Sequence, residues 1–267
     1  MASEPTPEPP PPEPPAAHPP ATPGFWTPSR LGALALLGGC VGAGFYRLSY
    51  EWAWVPVAKY WRLFLEGWAT TVAIAALALP LSLLLGILLA LLRRCPIPLF
   101  RETARLWVEL TRATPLLIQI WLYFYVFGQA LHLENRYILG PLILSAFSGA
   151  YLSEILRAGI ESVGASQIDS ARAIGLTRLQ TYRHVILPQA LRRILPPLAG
   201  QFVSLIKDSS LLSVLGLNEL TLAAQQVNAF TYAAFESYFP VLAGYLVLTL
   251  PLSLWSQSLE RKIRFET

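Results

Sequence analysis

From Trp68 to Leu92 the chain runs for 25 residues without a charged side chain, through TTVAIAALALPLSLLLGILLALL, and stops at Arg93 and Arg94. A helix rises about 1.5 Å per residue, so this run crosses the roughly 30 Å hydrocarbon core of a bilayer. A backbone in hydrocarbon must satisfy its own hydrogen bonds, and an unbroken apolar run without alternation does so as a helix. Composition agrees: 54% hydrophobic and 13% charged residues over 267 positions leave too little polar surface for a soluble domain of this size.

Further apolar runs lie at about 31–46, 106–127, 138–160, 190–215 and 239–259. The first is short and glycine-rich, and the fifth is interrupted by Pro196, Pro197 and the pair Lys207, Asp208. The expectation is an all-α integral membrane protein. Its parts are a proline-rich tail at 1–30, an extra transmembrane helix at 31–49 and a Trp-rich outer-face linker at 50–67. A transmembrane domain follows at 68–260, with a cytoplasmic loop at 164–188, and then a short tail at 261–267. The first 24 residues are rich in proline and lack Lys and Arg, which predicts a disordered or polyproline-like segment. Lacking the basic start of a secretory signal, this segment makes the apolar run after it read as a retained anchor.

A net charge of +4 raises nucleic acid as a partner. The basic residues, however, sit at the ends of apolar runs and are not interleaved with stacking aromatics, so topology explains them better. Arg93, Arg94, Arg101 and Arg105 mark one cytoplasmic loop. Arg172, Arg178, Arg183, Arg192 and Arg193 mark a second, and Arg261, Lys262 and Arg264 mark the C-terminal tail. Between Asp208 and Glu260 there is no Lys or Arg, which predicts an outer segment there and cytoplasmic N- and C-termini. The stretch LNELTLAAQQVNAFTYAAFESYF reads as an amphipathic helix lying on the outer surface. Cys40 and Cys95 read as structural thiols, because two cysteines at apolar segments make no disulfide framework.

One basic segment, ARAIGLTRLQTYRHVILPQALRR, divides the apolar runs. Ser166 followed by Asp169, and Thr177 followed by Gln180, are two capping-box patterns. Gly175 is suited to a left-handed helix end, and Pro188 is expected to stop the second helix. On that second helix Leu179, Tyr182 and Ile186 share a face, away from Arg178 and Arg183. Two readings stand side by side: an ordinary loop whose arginines fix topology, or a protruding helical pair whose apolar face needs a partner to cover it.

The segment ESVGASQIDSARAIGLTRLQTYRHVILPQALRRILPPLAGQFVSLIKDSSLLSVLGLNEL resembles the cytoplasmic-loop signature of ATP-binding-cassette importer permeases, whose core is glutamate, two alanines, three variable residues and glycine. Here the core reads Asp169, Ser170, Ala171, then Arg172, Ala173, Ile174 and Gly175. VELTRATPLLIQIWLYF and GAYLSEILRAGIESV are similar to motifs of the polar amino acid uptake branch. The resemblance covers roughly 67–264 and implies a five-helix permease core, to which the helix at 31–49 is an addition.

It also implies a permease dimer, homo or hetero, carrying two cytoplasmic ATPase subunits and served by an extracytoplasmic amino-acid-binding protein. Asp169, Ser170, Ala171, Gly175, Leu179, Tyr182 and Arg183 would then contact an ATPase subunit. The chain has no Gly-x-x-x-x-Gly-Lys-Ser/Thr loop, so ATP and Mg2+ are expected at the partner subunits, and no cofactor, metal or catalytic residue is expected here.

Ionisable groups in a bilayer need a partner or a wet cavity. Glu109 with Arg112, and Glu154 with Arg157, are spaced i, i+3 and can pair on their own helices or cross-pair between them, in a structural or a gating role. Lys207, Asp208 and Ser209 follow a proline kink and offer groups complementary to an amino acid zwitterion, or a simple ion pair at the outer boundary. Thr114 and Gln119 are further candidates for the same path. The reading is an ATP-driven amino acid importer permease; its rivals are import of another small polar solute by the same machinery, and a passive channel or secondary carrier.

Overall fold

The computed structural model describes residues 27–47 and 50–264. The proline-rich segment before residue 27, expected to be disordered, lies outside the described residues, as do residues 265–267. The chain divides into two compact units, residues 1–51 and 52–267. In the first, α1 (Pro28–Arg47) is a 20-residue helix whose apolar part, Leu31–Arg47, is shorter than the spans described next.

The second unit holds α2 (Trp54–Ala58), α3 (Trp61–Leu92), α4 (Pro98–Ala113) and α5 (Leu116–Leu122), the last extended by a π-helical turn, Tyr123–Gly128. Then come α6 (Arg136–Glu161), α7 (Ala165–Ala173) and α8 (Arg178–Thr181). α8 runs through a π-helical turn, Tyr182–Ile186, into α9 (Leu187–Asp208), which tightens to 3-10 geometry over Ser209–Leu215. α10 (Leu220–Thr231) and α11 (Ala234–Arg264) complete it. Every regular element among the described residues is helical. Four segments there are long and apolar enough to span a membrane: Trp61–Leu92, Arg136–Glu161, Arg178–Leu215 and Ala234–Glu260.

The centre of the bundle is the packing of α3 on α6, through small residues that bring the two backbones close. A Cβ on Gly86 would stand 2.7 Å from the Leu152 Cβ, and one on Gly149 would stand 2.9 Å from the Leu85 Cβ. Ser145 donates to the carbonyls of Pro141 (2.6 Å) and Ala78 (3.3 Å), so its hydroxyl is satisfied across the same seam. Around this seam Ile74, Ala78, Leu116, Ile120, Ile143, Leu144, Leu205 and Leu212 form one buried cluster.

The expected span at 106–127 is broken in two. Pro115 has no N–H and disfavours helical geometry in the residue before it; Thr114 is extended at φ −117° and ψ 145°, and α5 restarts beyond Pro115. Pro188 does the opposite of what its chemistry predicts and does not end a helix. The wider π turn at Tyr182–Ile186 lies next to it, and the chain continues as helix into α9 with Pro188 in the first turn after the π turn.

The element expected as an amphipathic helix on the outer surface packs its apolar face against the bundle and leaves Gln225, Ala229 and Phe230 exposed. Leu220, Ala223, Ala224 and Val227 of α10 are buried, and the Leu220 N–H donates to Thr71 Oγ1 of α3 at 3.2 Å. Part of the Trp-rich linker is equally engaged. Trp52 and Trp54 stack on each other at 6.0 Å, and each stacks on Phe239 of α11 at 6.1 Å.

Candidate functional site

The basic segment folds as two short helices meeting at a left-handed glycine. α7 starts two residues earlier than its Ser166–Asp169 pattern implies: its N-cap is Gly164, and no side chain caps it. Its C-terminus closes as a Schellman motif. The Leu176 N–H donates to the Ala171 carbonyl (3.1 Å) and the Gly175 N–H to the Arg172 carbonyl (2.9 Å), with Gly175 at φ +84°. The second capping box is complete. Thr177 Oγ1 accepts from the Gln180 N–H, and Gln180 Oε1 accepts from the Thr177 N–H at 2.9 Å.

These two closures fix the angle between α7 and α8 by local chemistry alone. Ala171 is buried, whereas Ile174 and Leu179 are 77% and 76% exposed and Tyr182 is partly exposed. Asp169 and Arg172 form an exposed ion pair at 3.5 Å, while Ser170 and Arg183 face solvent. An open cleft of 350 Å³ lies between α7 and the π turn, lined by Ser166, Gln167, Ser170, Ala171, Ile174, Leu176 and Val185. The elbow thus presents two exposed large apolar side chains with arginines around them. Ile174, read from the sequence as part of the signature core but not as a contact residue, is exposed beside Leu179 on the elbow.

Glu154 is the hub of the charged residues. Arg93 Nη1 donates to its Oε2 at 2.8 Å, Arg157 Nε donates to its Oε1 at 3.1 Å, and Arg112 stands 3.9 Å away. Arg157 also pairs with Glu161, and the Arg112 guanidinium lies over the Tyr151 ring at 5.5 Å. Glu109 makes no ion pair among the described residues and is exposed. Sequence spacing pointed to Arg157. It missed Arg93, whose position at the end of an apolar run read only as a topology mark.

Gln119 sits at the break between α4 and α5 and is 5% exposed. Its Nε2 donates to the Thr111 carbonyl (2.7 Å) and to Thr114 Oγ1 (2.7 Å), so it serves backbone and side-chain acceptors around the break at Pro115. Its Oε1 is buried without a hydrogen-bond partner. Thr114 is exposed beside it. At the end of α9, Lys207 is exposed, Asp208 is partly buried, and the two do not form an ion pair with each other. Ser209 is buried and its hydroxyl is bonded to the Ile206 carbonyl at 2.7 Å, leaving Lys207 and Asp208 as the polar groups presented there.

Two buried carboxylates were not legible in the sequence. Glu236 accepts from the Ala53 N–H. Glu219, between two spans, caps α10 by accepting from the N–H groups of Thr221 (2.9 Å) and Leu222 (2.8 Å), and it accepts from the Tyr245 hydroxyl at 3.0 Å. Burial pushes the Glu219 carboxyl above its ordinary range, against these hydrogen bonds, which favour the ionised form.

Comparison with known proteins adds a family to this geometry. Residues 82–265 match the model of the binding-protein-dependent transport system inner membrane component. The chain is 33% identical over 201 residues to a probable glutamine ABC transporter permease protein, GlnM, of Bacillus subtilis, covering 75% of this chain and 93% of that one. It is 32% identical over 216 residues to the glutamine transport system permease protein GlnP of Escherichia coli, covering 80% and 99%. The solved structure of an amino acid ABC transporter with histidines superposes with a TM-score of 0.73 at 34% identity, over 80% of this chain and all of that one. An inward-facing methionine ABC transporter, at 18% identity and a TM-score of 0.59, shares the fold. A helical bundle with four membrane-length segments, a capped helical elbow between two of them and a family match over most of its length make this chain a member of the binding-protein-dependent transport system inner membrane component family, a multi-pass permease subunit of the inner membrane.

Proposed function

We propose that this chain forms the translocation path of an ATP-driven, binding-protein-dependent importer of amino acids in a bacterial cytoplasmic membrane. It pairs with a second permease subunit, identical or homologous, and carries two ATP-binding-cassette ATPase subunits that hold ATP and Mg2+. An extracytoplasmic amino-acid-binding protein delivers the solute. The arginine-rich loops and both termini face the cytoplasm, in keeping with the distribution of Lys and Arg. The amino acid assignment draws on the glutamine permeases and the amino acid transporter to which the chain is similar.

The observation that carries the coupling role is the exposure of Ile174 and Leu179 on an elbow whose angle is set by Gly175 and Thr177. An ATPase subunit seated on that elbow moves α7 and α8 as one body. The π turn joins α8 to α9 without a break, so the motion passes along α9 to Lys207 and Asp208 at its far end. Lys207 and Asp208 supply an ammonium and a carboxylate to a zwitterionic solute, with Thr114 on the same path.

The test is uptake of radiolabelled amino acids into vesicles containing the permease, the ATPase subunits and the binding protein. ATP-dependent accumulation of one or a few amino acids is expected, lowered at least about tenfold in rate or affinity by Asp208→Asn, a factor worth ~1.4 kcal/mol. Uptake that persists with the ATPase inactivated sinks the importer reading, and Asp208→Asn with unchanged rate and affinity removes Asp208 from the path.

A further inference from the structure

Where α3 and α6 end, the structure holds a cleft of 220 Å³ lined by Ala90, Arg93, Arg94, Arg105, Arg157 and Glu161. The lining sets four guanidinium groups against one carboxylate. The neighbouring acids offset part of this positive charge and leave an excess. Glu154 is engaged by Arg93 and Arg157, Glu161 by Arg157, and Glu102 by Arg101 and Arg105. Arg94 is exposed and has no ion-pair partner among the described residues. Three of the four arginines, Arg93, Arg105 and Arg157, are thus held by carboxylates, and Arg94 is the cation left in excess at this space.

The position of the cleft narrows what can fill it. It lies where the apolar run of α3 stops at Leu92 and where α6 ends at Glu161, the level at which hydrocarbon gives way to water. α4 carries Arg105 and exposes Leu99, Phe100, Leu106 and Trp107. Exposed apolar side chains beside arginines, with a tryptophan among them, form the pattern of a helix lying in the membrane interface.

We propose that this cleft binds the phosphate of an anionic phospholipid headgroup, with Arg94 and Arg105 as its principal ligands and the acyl chains left in the bilayer beside α4. Guanidinium groups match phosphate oxygens with two parallel N–H donors, and basic pockets between transmembrane helices are suited to anionic headgroups. A free phosphate shares the chemistry of the site. The exposed Leu99, Phe100 and Leu106 favour the lipid, because a soluble anion gives them no partner. This site is separate from the elbow and from Lys207 and Asp208, so it stands whether or not those serve transport.

The experiment is native mass spectrometry of the full chain in detergent, titrated in parallel with phosphatidylglycerol, phosphatidylcholine and inorganic phosphate. Phosphatidylglycerol is expected to bind about tenfold or more tightly than phosphatidylcholine, the size of one lost charge-assisted bond. Arg94→Gln alone is expected to weaken that preference, and Arg94→Gln with Arg105→Gln to abolish it. Arg101→Gln, outside the lining, leaves it intact. Arg94 has no carboxylate to release, so its variant keeps the fold. Equal binding of the two lipids by the unaltered chain overturns the proposal, as does a preference that survives the double substitution. Arginine-dependent binding of inorganic phosphate without a lipid preference assigns the cleft to a free anion and overturns the lipid reading.

Discussion

Arg93 and Glu154 meet at 2.8 Å and tie the end of α3 to the middle of the last turns of α6, on the helix that leads directly into α7. With Arg157 on the same carboxylate, one acid fixes two cations. Removing it takes from Arg93 its carboxylate and leaves Arg157 with Glu161 alone, in a partly buried place, which costs more than an exposed pair is worth. Glu154→Gln is expected to destabilise the chain by about 1–3 kcal/mol, read as a lower midpoint of thermal unfolding in detergent. An unchanged midpoint rejects the hub role.

Gly175 holds φ +84°, and a Cβ there meets nothing within 4 Å, so the obstacle to substitution is backbone conformation and not space. Gly175→Val is expected to cost about 1–2 kcal/mol locally by forcing a β-branched residue into the left-handed region. ATPase-subunit binding and transport should fall while membrane insertion survives. Gly175→Asn, which tolerates that region, should retain most of both. Equal loss in the two variants points to the side chain rather than the turn.

Ile174 and Leu179 separate docking from folding, because each is about three-quarters exposed. Leu179→Asp is expected to change the stability of the isolated permease by less than about 0.5 kcal/mol. Co-purification of the ATPase subunit should drop by at least about tenfold, a difference of ~1.4 kcal/mol. Full co-purification by Ile174→Asp and Leu179→Asp together rejects the elbow as the docking surface.

What the sequence made legible follows from the range of the interactions. The span at 68–92, the glycine elbow and the Thr177–Gln180 box are local patterns; the elbow and the box are found where the residues place them, and the span ends at Leu92 as expected but begins earlier, at Trp61, within the expected linker. The break at Thr114–Pro115 was also local, yet the apolar run around it outweighed the proline. Pro188 misled in the other direction, since a π turn accommodates a proline only in three dimensions. Arg93 on Glu154, Glu236 on Ala53 and the burial of α10 join residues far apart in the chain, and no spacing rule reaches them.

Gln119 repairs the break that Pro115 makes, by donating to the Thr111 carbonyl and to Thr114. Gln119→Leu has a similar volume but no donor, leaving the buried Thr111 carbonyl without this partner at about 1–3 kcal/mol. Lower thermal stability is the expected outcome, in contrast to Thr114→Val, which removes only one of the acceptors. If Gln119→Leu is as stable as the parent, the amide serves the solute path and not the helix break.

Glu219 gives the fold a pH dependence whose sign follows from its burial. Its folded carboxyl takes up a proton at higher pH than the ordinary value of 4.5, because desolvation outweighs the N–H groups of Thr221 and Leu222 and the Tyr245 hydroxyl. The folded state therefore binds more protons than the unfolded state between that value and the raised one. The stability this group contributes is fully present below the unfolded value and is lost as pH rises through the folded one. Thermal unfolding in detergent, followed upward from about pH 4 where the ordinary carboxyl titrates, should show a falling midpoint over that window. Glu219→Gln keeps an oxygen to accept an N–H of the α10 cap but cannot ionise, so it should flatten this part of the profile. A Glu219→Gln profile parallel to that of the parent assigns the slope to another group.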